Sequence, residues 1–326
     1  MVGKLYIDGK DAYSEYGVFV EQYGYKALIQ MPGFKNVTTT EWDESDGEEV
    51  DLISPVLDSK TFGIQFCLRD VVGAGDLYEL ISDKAYHIFE FAELGKSYKL
   101  RLVSNPNLSS FIRLGKATLN FADDFPPYVP DETSDFEPDE YNHALEETPE
   151  ESAPEGWMQE GYMIDEIDFS RFGIYVMEGT EDNIQKAPNV RENLTVKAKD
   201  VPGLKYDAEN VFYRAKDAQL KLFILAEGMD DFWKRWYSFF AVLIKPELHM
   251  FYKDSTLEEF ECYYKSNSVT KFDILANGKV WCEFTVTLRF TCVRPEGNYF
   301  VLATEAGETV LTEEDEAQIV LNIKYS

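Results

Sequence analysis

The residues best suited to chemistry are either scarce or too abundant to single out. Three histidines occur: His87, His143 and His249. No HExxH pair sets two of them on one helical face, as a zinc protease requires. His87 falls in a helix-like stretch, His143 in an acidic segment and His249 at the start of a strand. Each reads as a structural or surface imidazole. The four cysteines, Cys67, Cys262, Cys282 and Cys292, form no CxxC pair. Cys282 and Cys292 read as members of one strand, roughly 30 Å apart at about 3.3 Å per residue. A disulfide needs Cα atoms about 5–6 Å apart. Buried free thiols in a reducing compartment are therefore expected. No serine sits in a GxSxG elbow, and no glycine-rich loop matches a Walker or dinucleotide pattern. The run Asp43-Glu44-Ser45-Asp46-Gly47-Glu48-Glu49 invites a calcium reading. It lacks the one-three-five spacing and distal bidentate glutamate of an EF-hand loop, so a solvated acidic turn around Asp46-Gly47 is expected. Acids are so common that any pair chosen for glycoside hydrolysis would be arbitrary. The sequence thus predicts no catalytic residue, no cofactor and no metal site.

The elements that would have to position such groups are more legible. A length of 326 residues is a soft prior for two domains. Hydrophobic residues at 44% and aromatics at 15% are enough for real cores. The formal net charge of -29 argues against general nucleic-acid binding and against binding to anionic lipid. It favours solubility and lets DNA pass without adhering. Residues 1–10 contain no apolar h-region, so no signal peptide is expected. The longest apolar run, residues 239–244, is too short to cross a bilayer.

Residues 122–161 stand apart. They contain Pro126, Pro127, Pro130, Pro138, Pro149 and Pro154, many acids, and no Lys or Arg. Such a segment repels itself and reads as a linker. Its aromatics, Phe125, Tyr128, Phe136, Tyr141 and Trp157, suggest that parts of it dock on a neighbour.

The flanks of this linker resemble each other. Tyr6-Ile7-Asp8 and Tyr16-Gly17-Val18-Phe19-Val20 are answered by Met163-Ile164-Asp165 and Phe172-Gly173-Ile174-Tyr175-Val176. Counted from the two glycines, residues 62–68 fall in register with residues 218–224, and both segments alternate with the period of a half-buried strand. A helix follows in each copy. In the first, Asp76 is the expected cap, with Glu79 at capping-box spacing. Leu77, Leu80, Ile81 and Ile88 then share a face. In the second, Asp230 or Asp231 precedes Phe232, Trp233, Trp236 and Phe240, with Trp236 matching Leu80. Strands then return: residues 98–102 answer residues 249–252, and residues 115–121 answer residues 278–284. Phe284, Val286, Leu288 and Phe290 form one face of the clearest amphipathic strand. In the tail, residues 299–302 and 309–311 flank a turn at residues 305–308, and residues 319–323 read as a third strand. This hairpin suits an arm that augments a neighbour's sheet as well as it suits packing on its own domain.

The pattern Ile7-Asp8, Tyr16-Gly17-Val18, Lys35, Trp42-Asp43-Glu44, Asp46-Gly47 and the strand at 62–68 resembles the first domain of phage distal tail proteins and, more loosely, tail-tube proteins. The second copy shares this only through the repeat, having Asp200-Val201-Pro202-Gly203 near the place of the Asp-Gly turn. The resemblance implies a mainly β fold with minor α (α+β), as two tandem β-sandwich, tail-tube-like domains with one flanking helix each. The boundaries would be 1–121 for the first domain, 122–161 for the linker, 162–294 for the diverged copy and 295–326 for the C-terminal arm. It further implies a non-enzymatic structural subunit of a phage or prophage tail, made in the bacterial cytoplasm. That subunit would self-associate into a trimeric or hexameric ring and contact other tail or baseplate proteins. DNA would pass through the channel without specific binding, and no membrane insertion is expected. A carbohydrate-binding or adhesion module is the alternative, and a hydrolase with scattered carboxylates is a third reading.

Overall fold

A computed structural model of the chain describes residues 1–21, 24–42, 45–69, 71–83, 85–111, 114–125, 161–191, 195–197, 199–200, 202–203, 205–206, 211–254, 256–293, 299–301 and 320–322. It is mainly β with few helices, built around two curled sheets. In chain order the first sheet's half contains β1 (Leu5–Ile7), β2 (Lys10–Asp11), α1 (Ala12–Tyr16), β3 (Val18–Val20), α2 (Lys26–Ile29), β4 (Thr38–Thr40), β5 (Glu49–Asp51), β6 (Lys60–Leu68), α3 (Val71–Ile81), β7 (His87–Phe91), β8 (Lys96–Phe111) and β9 (Leu114–Asp123). The second contains β10 (Tyr162–Ile164), β11 (Ile167–Asp168), a 3-10 turn (Phe169–Phe172), β12 (Ile174–Val176), α4 (Thr180–Gln185), β13 (Thr195–Val196), β14 (Lys205–Tyr206), β15 (Lys216–Ala226), α5 (Met229–Leu243), β16 (His249–Lys253), β17 (Glu258–Ile274) and β18 (Val280–Phe290). Two short strands, β19 (Tyr299–Val301) and β20 (Val320–Asn322), follow.

The strand orders are β2-β1-β7-β8-β9-β6-β3 and β11-β10-β16-β17-β18-β15-β12, the same arrangement element by element. The chain forms two compact units. The larger comprises Met1–Thr39, Val50–Gln185 and Asp217–Phe290 and holds both seven-stranded sheets. The smaller comprises Thr40–Glu49, Lys186–Lys216 and Thr291–Ser326.

Local chemistry repeats along with topology. Asp11 and Asp168 each accept a backbone N–H, from Ser14 and Ser170, both at 2.7 Å, and so start a helical turn. Gly17 and Gly173 end those turns, both at φ 65°, where a side chain would be strained. The chain then enters β3 or β12 in matching register: Val18 faces Leu68 and Ile174 faces Ile224. The spacing read from the two glycines is therefore correct. It also holds at two isolated bridges, Phe34 with Leu57 and Val190 with Tyr213.

Each sheet buries one face. In β18 Val280, Cys282, Phe284, Val286, Leu288 and Phe290 are buried and alternate with half-exposed residues, as the sequence predicts. Helix α5 is buried nearly all round, which marks an interior helix. Trp236 packs on Phe284 at 4.8 Å and Phe232 on Phe272 at 5.4 Å between ring centroids.

Four expectations need correction. Asp76 is not a cap; it sits mid-way along α3 and is exposed. A capping box is only a spacing, and the same spacing recurs inside helices. Ile88 belongs to β7 and is 55% exposed, while Leu80 is half-buried and so is no match for the enclosed Trp236. The counterpart of β16 is β7, not residues 98–102: His87 faces Leu100 as His249 faces Cys262. Finally, Phe121 faces Leu102 and Leu288 faces Tyr264, so Phe121 answers Leu288, four residues beyond the expected Phe284. A slip by an even number keeps every side chain on its face, which is why the pattern looked right.

β19 pairs directly with β20, Phe300 facing Leu321. The expected strand at 309–311, its turn at 305–308, and the linker aromatics Tyr128, Phe136, Tyr141 and Trp157 lie outside the described residues.

Candidate functional site

His87 and His249 occupy equivalent places and hold equivalent partners. Asp8 and Asp165 follow β1 and β10 with φ of 49° and 48°, a left-handed turn that Asp tolerates. That turn aims one carboxylate oxygen at a strand N–H, of Ile88 or Met250, both at 2.9 Å. The other oxygen meets the imidazole Nδ1, at 2.7 Å for His87 and 2.6 Å for His249. The two backbones close the ring, Asp8 N–H donating to Ile88 O and Asp165 N–H to Met250 O. The far nitrogens are also occupied. Nε2 of His87 lies 3.2 Å from Asp83, and Nε2 of His249 lies 3.1 Å from the Leu243 carbonyl. With both nitrogens engaged and both rings buried, neither imidazole is placed to activate a nucleophile. They are clips that fasten the first strand of each sheet. Burial disfavours charge on His87, but Asp8 and Asp83 together outweigh it and raise its pKa. For Asp165, burial likewise opposes charge, yet the bonds from His249 and the Met250 N–H hold its pKa below the usual value. The sequence placed His87 in a helix and did not pair it; His143 lies outside the described residues.

The other candidates are structural in their surroundings. Cys262 and Cys282 are buried, and burial pushes both thiols up. Cys67 is half-buried and Cys292 is exposed, beyond the end of β18, so the expectation of four buried thiols holds for two. The turn at Asp46-Gly47 is not simply solvated. Within the smaller unit Asp46 accepts the Tyr213 N–H at 2.8 Å, and Gly47 bonds Tyr213 and the buried Arg191. Asp43 and Glu44 lie outside the described residues. Among the described residues no three His, Cys, Asp or Glu side chains converge as a metal site requires.

What the larger unit does present is a seam between its two sheets. One side is the face of α5 turned from its own sheet. Trp233 donates its indole N–H to the Leu94 carbonyl at 2.7 Å, and the Lys96 ammonium lies over Trp233 and Tyr237 at 5.2 and 4.8 Å. Further along, the buried Asn267 on β17 accepts the Met31 N–H at 2.8 Å, and the Tyr264 hydroxyl donates to the Met31 carbonyl at 3.2 Å. Gly33 comes so close to β17 that an added Cβ would lie 2.5 Å from the Lys265 carbonyl oxygen. The seam is heterologous: the first half gives a β-turn and the segment after α2, the second gives a helix and a strand.

A cavity of about 370 Å³ opens at this seam, lined by Lys4, Glu21, Tyr25, Glu93, Phe272 and Asp273 among others. Glu93 accepts from Lys4 and from the Tyr25 hydroxyl, both at 2.6 Å. Burial opposes the Glu93 charge, and those two donors outweigh it and lower its pKa. Lys4, Tyr25 and Glu93 are thus paired with one another, and Glu21 accepts from Lys116. On the outer surface, exposed Tyr86 and Phe125 meet edge to face at 5.2 Å, with Lys99 over both rings. Arg101 and the Tyr86 hydroxyl converge beside them on Asp124.

No protein-family model matches this chain, and no curated protein matches it. None of its helices, among the described residues, is long and apolar enough to cross a membrane.

Proposed function

We propose that the chain is a structural subunit of a phage-type tail or baseplate, with two tail-tube-like modules, that assembles into a ring. The observation that carries this reading is the duplicated seven-stranded sheet joined through a heterologous seam. A contact between unlike surfaces of like modules can be repeated, and where its rotation closes it makes a ring rather than a filament. Three chains would supply six modules to one ring; six chains would make a double or decorated ring. The paired state of both described imidazoles, the paired Glu93 of the cavity and the strong negative charge fit a scaffold without a catalytic step. A negative wall would let DNA slide past unbound. Other tail proteins would be its neighbours, and the virion tail its place.

Light scattering on the purified chain, with negative-stain images of the same sample, tests this. A trimer or hexamer with a central hole is expected. A protein that stays monomeric at high concentration and alongside any candidate tail partner would sink it.

A second reading rests on Tyr86 and Phe125. Exposed aromatics beside an Arg–Asp pair suit a sugar face and its hydroxyls. A glycan array would decide: specific binding lost in Phe125→Ala supports adhesion, and a blank array removes it.

A further inference from the structure

The two helices that follow β6 and β15 stand in equivalent places but meet different fates. The face of α5 turned from its sheet is covered by the turn between β7 and β8, through the Leu94 carbonyl and Lys96. Among the described residues the outward face of α3 has no such cover, and Gly75, Asp76, Tyr78 and Glu79 are exposed, Tyr78 at 42%. The covering turn also has a twin. β7 closes on β8 at Phe91 and Lys96, and β16 closes on β17 at Lys253 and Glu258, each pair enclosing four residues. Gly95 and Leu257 end these turns in the same left-handed conformation, φ 60° and 53°. Leu94 is fully buried in its turn. In the twin, Asp254, Thr256, Leu257 and Glu258 are all exposed, and Leu257 is 61% exposed. A leucine in that conformation is sterically disfavoured, and here it is also left in water.

Among the described residues one molecule therefore carries a used turn and a used helix face, plus an unused turn and an unused helix face. We propose that the turn between β16 and β17 docks, through Leu257, on the outward face of α3, at Tyr78, of a second copy of this chain. The contact repeats between molecules the turn-on-helix arrangement of Leu94, Lys96 and α5 within a molecule, with Thr256 at the place of Leu94 and Leu257 at the place of Gly95. The inference rests on the ring reading and names its interface. The occupant is argued from the seam itself, because the same fold already binds its own kind this way once. The copy is not perfect. Glu258 stands where Lys96 stands, so the cation over the aromatic rings is missing. Asp76 and Glu79 on one surface also face Asp254 and Glu258 on the other. The contact between molecules is thus weaker than the internal one, and a single charge reversal should strengthen it.

The test is sedimentation of the full chain over a range of concentrations for four proteins: wild type, Glu258→Lys, Leu257→Asp and Tyr78→Asp. All three positions are exposed, so circular dichroism should show each variant folded. Glu258→Lys is expected to tighten self-association about threefold or more, and Leu257→Asp and Tyr78→Asp to weaken it about tenfold. Mixing the two weakened variants should restore one good contact and give dimers that grow no further. Rings whose mass ignores all three substitutions would overturn this interface while leaving the ring reading intact. Absence of self-association in both wild type and Glu258→Lys at the highest concentration would overturn the interface and count against the ring as well.

Discussion

The Nδ1 of His249 lies 2.6 Å from a carboxylate oxygen of Asp165, across 84 residues of sequence. The second oxygen of that carboxylate takes the Met250 N–H at 2.9 Å. Replacing Asp165 with Asn keeps the shape and one acceptor but removes the charge from both bonds. We expect a loss of about 1.5–3 kcal/mol, the range for hydrogen bonds to charged groups. Urea unfolding would measure it, and an unchanged midpoint would show that the clip is idle.

The same geometry at His87 predicts a pH dependence. Its folded pKa is raised above the ordinary value of 6.5 by Asp8 and Asp83, against the opposing effect of burial. The protonated form is therefore the stabilising one. Its contribution is complete below about 6.5 and disappears as pH climbs through the raised folded value. The stability difference between wild type and His87→Asn should accordingly shrink from pH 5.5 to pH 8.5. A difference that grew over this interval would reverse the assignment.

Two glycines should answer to alanine with opposite signs. At Gly33 a Cβ would lie 2.5 Å from the Lys265 carbonyl oxygen, within the seam. Overpacking there should cost about 1–3 kcal/mol. Gly75 lies within α3, and a Cβ there meets nothing within 4 Å. Alanine at that position should stabilise by up to about 1 kcal/mol through helix propensity. Thermal melts of the two variants, run together, would check both.

Thiol labelling separates the four cysteines. Cys292 is exposed and should react first, Cys67 more slowly, its pKa raised chiefly by burial. Cys262 and Cys282, buried and pushed up, should react only on unfolding. Four rapid reactions in the native protein would contradict the burial of β17 and β18.

The sequence was legible where burial is one-sided and local. β18 alternates because one face is packed against α5, and β6 and β15 align because Gly17 and Gly173 anchor the count. It was misleading where a spacing has more than one meaning, as at Asp76 and Glu79 in the middle of α3. The clips escaped notice for a different reason. Asp8 and Asp165 were visible as markers of the repeat, but their histidines lie 79 and 84 residues away, and only the ladders β1–β7 and β10–β16 bring them together. The seam was equally hidden, because Trp233 and Trp236 look alike on a helical wheel. One of them meets Leu94 of the other half, and the other meets its own sheet.

The clips also impose a timetable. β1 has its main partner in β7, and β10 has its in β16, so each opening strand must wait for a strand some 80 residues later. At about 5–20 residues per second of synthesis, that is a wait of several seconds on the ribosome. During it β1 has only its hairpin partner β2, and its other edge stays open while β3, β6 and α3 emerge. The aspartate and the histidine then meet as β7 or β16 arrives, and the two long strands that follow in each half complete the sheet. A nascent chain halted just before residue 87 should still leave the β7-facing edge of Leu5–Ile7 open to capture, and one halted well past residue 91 should not.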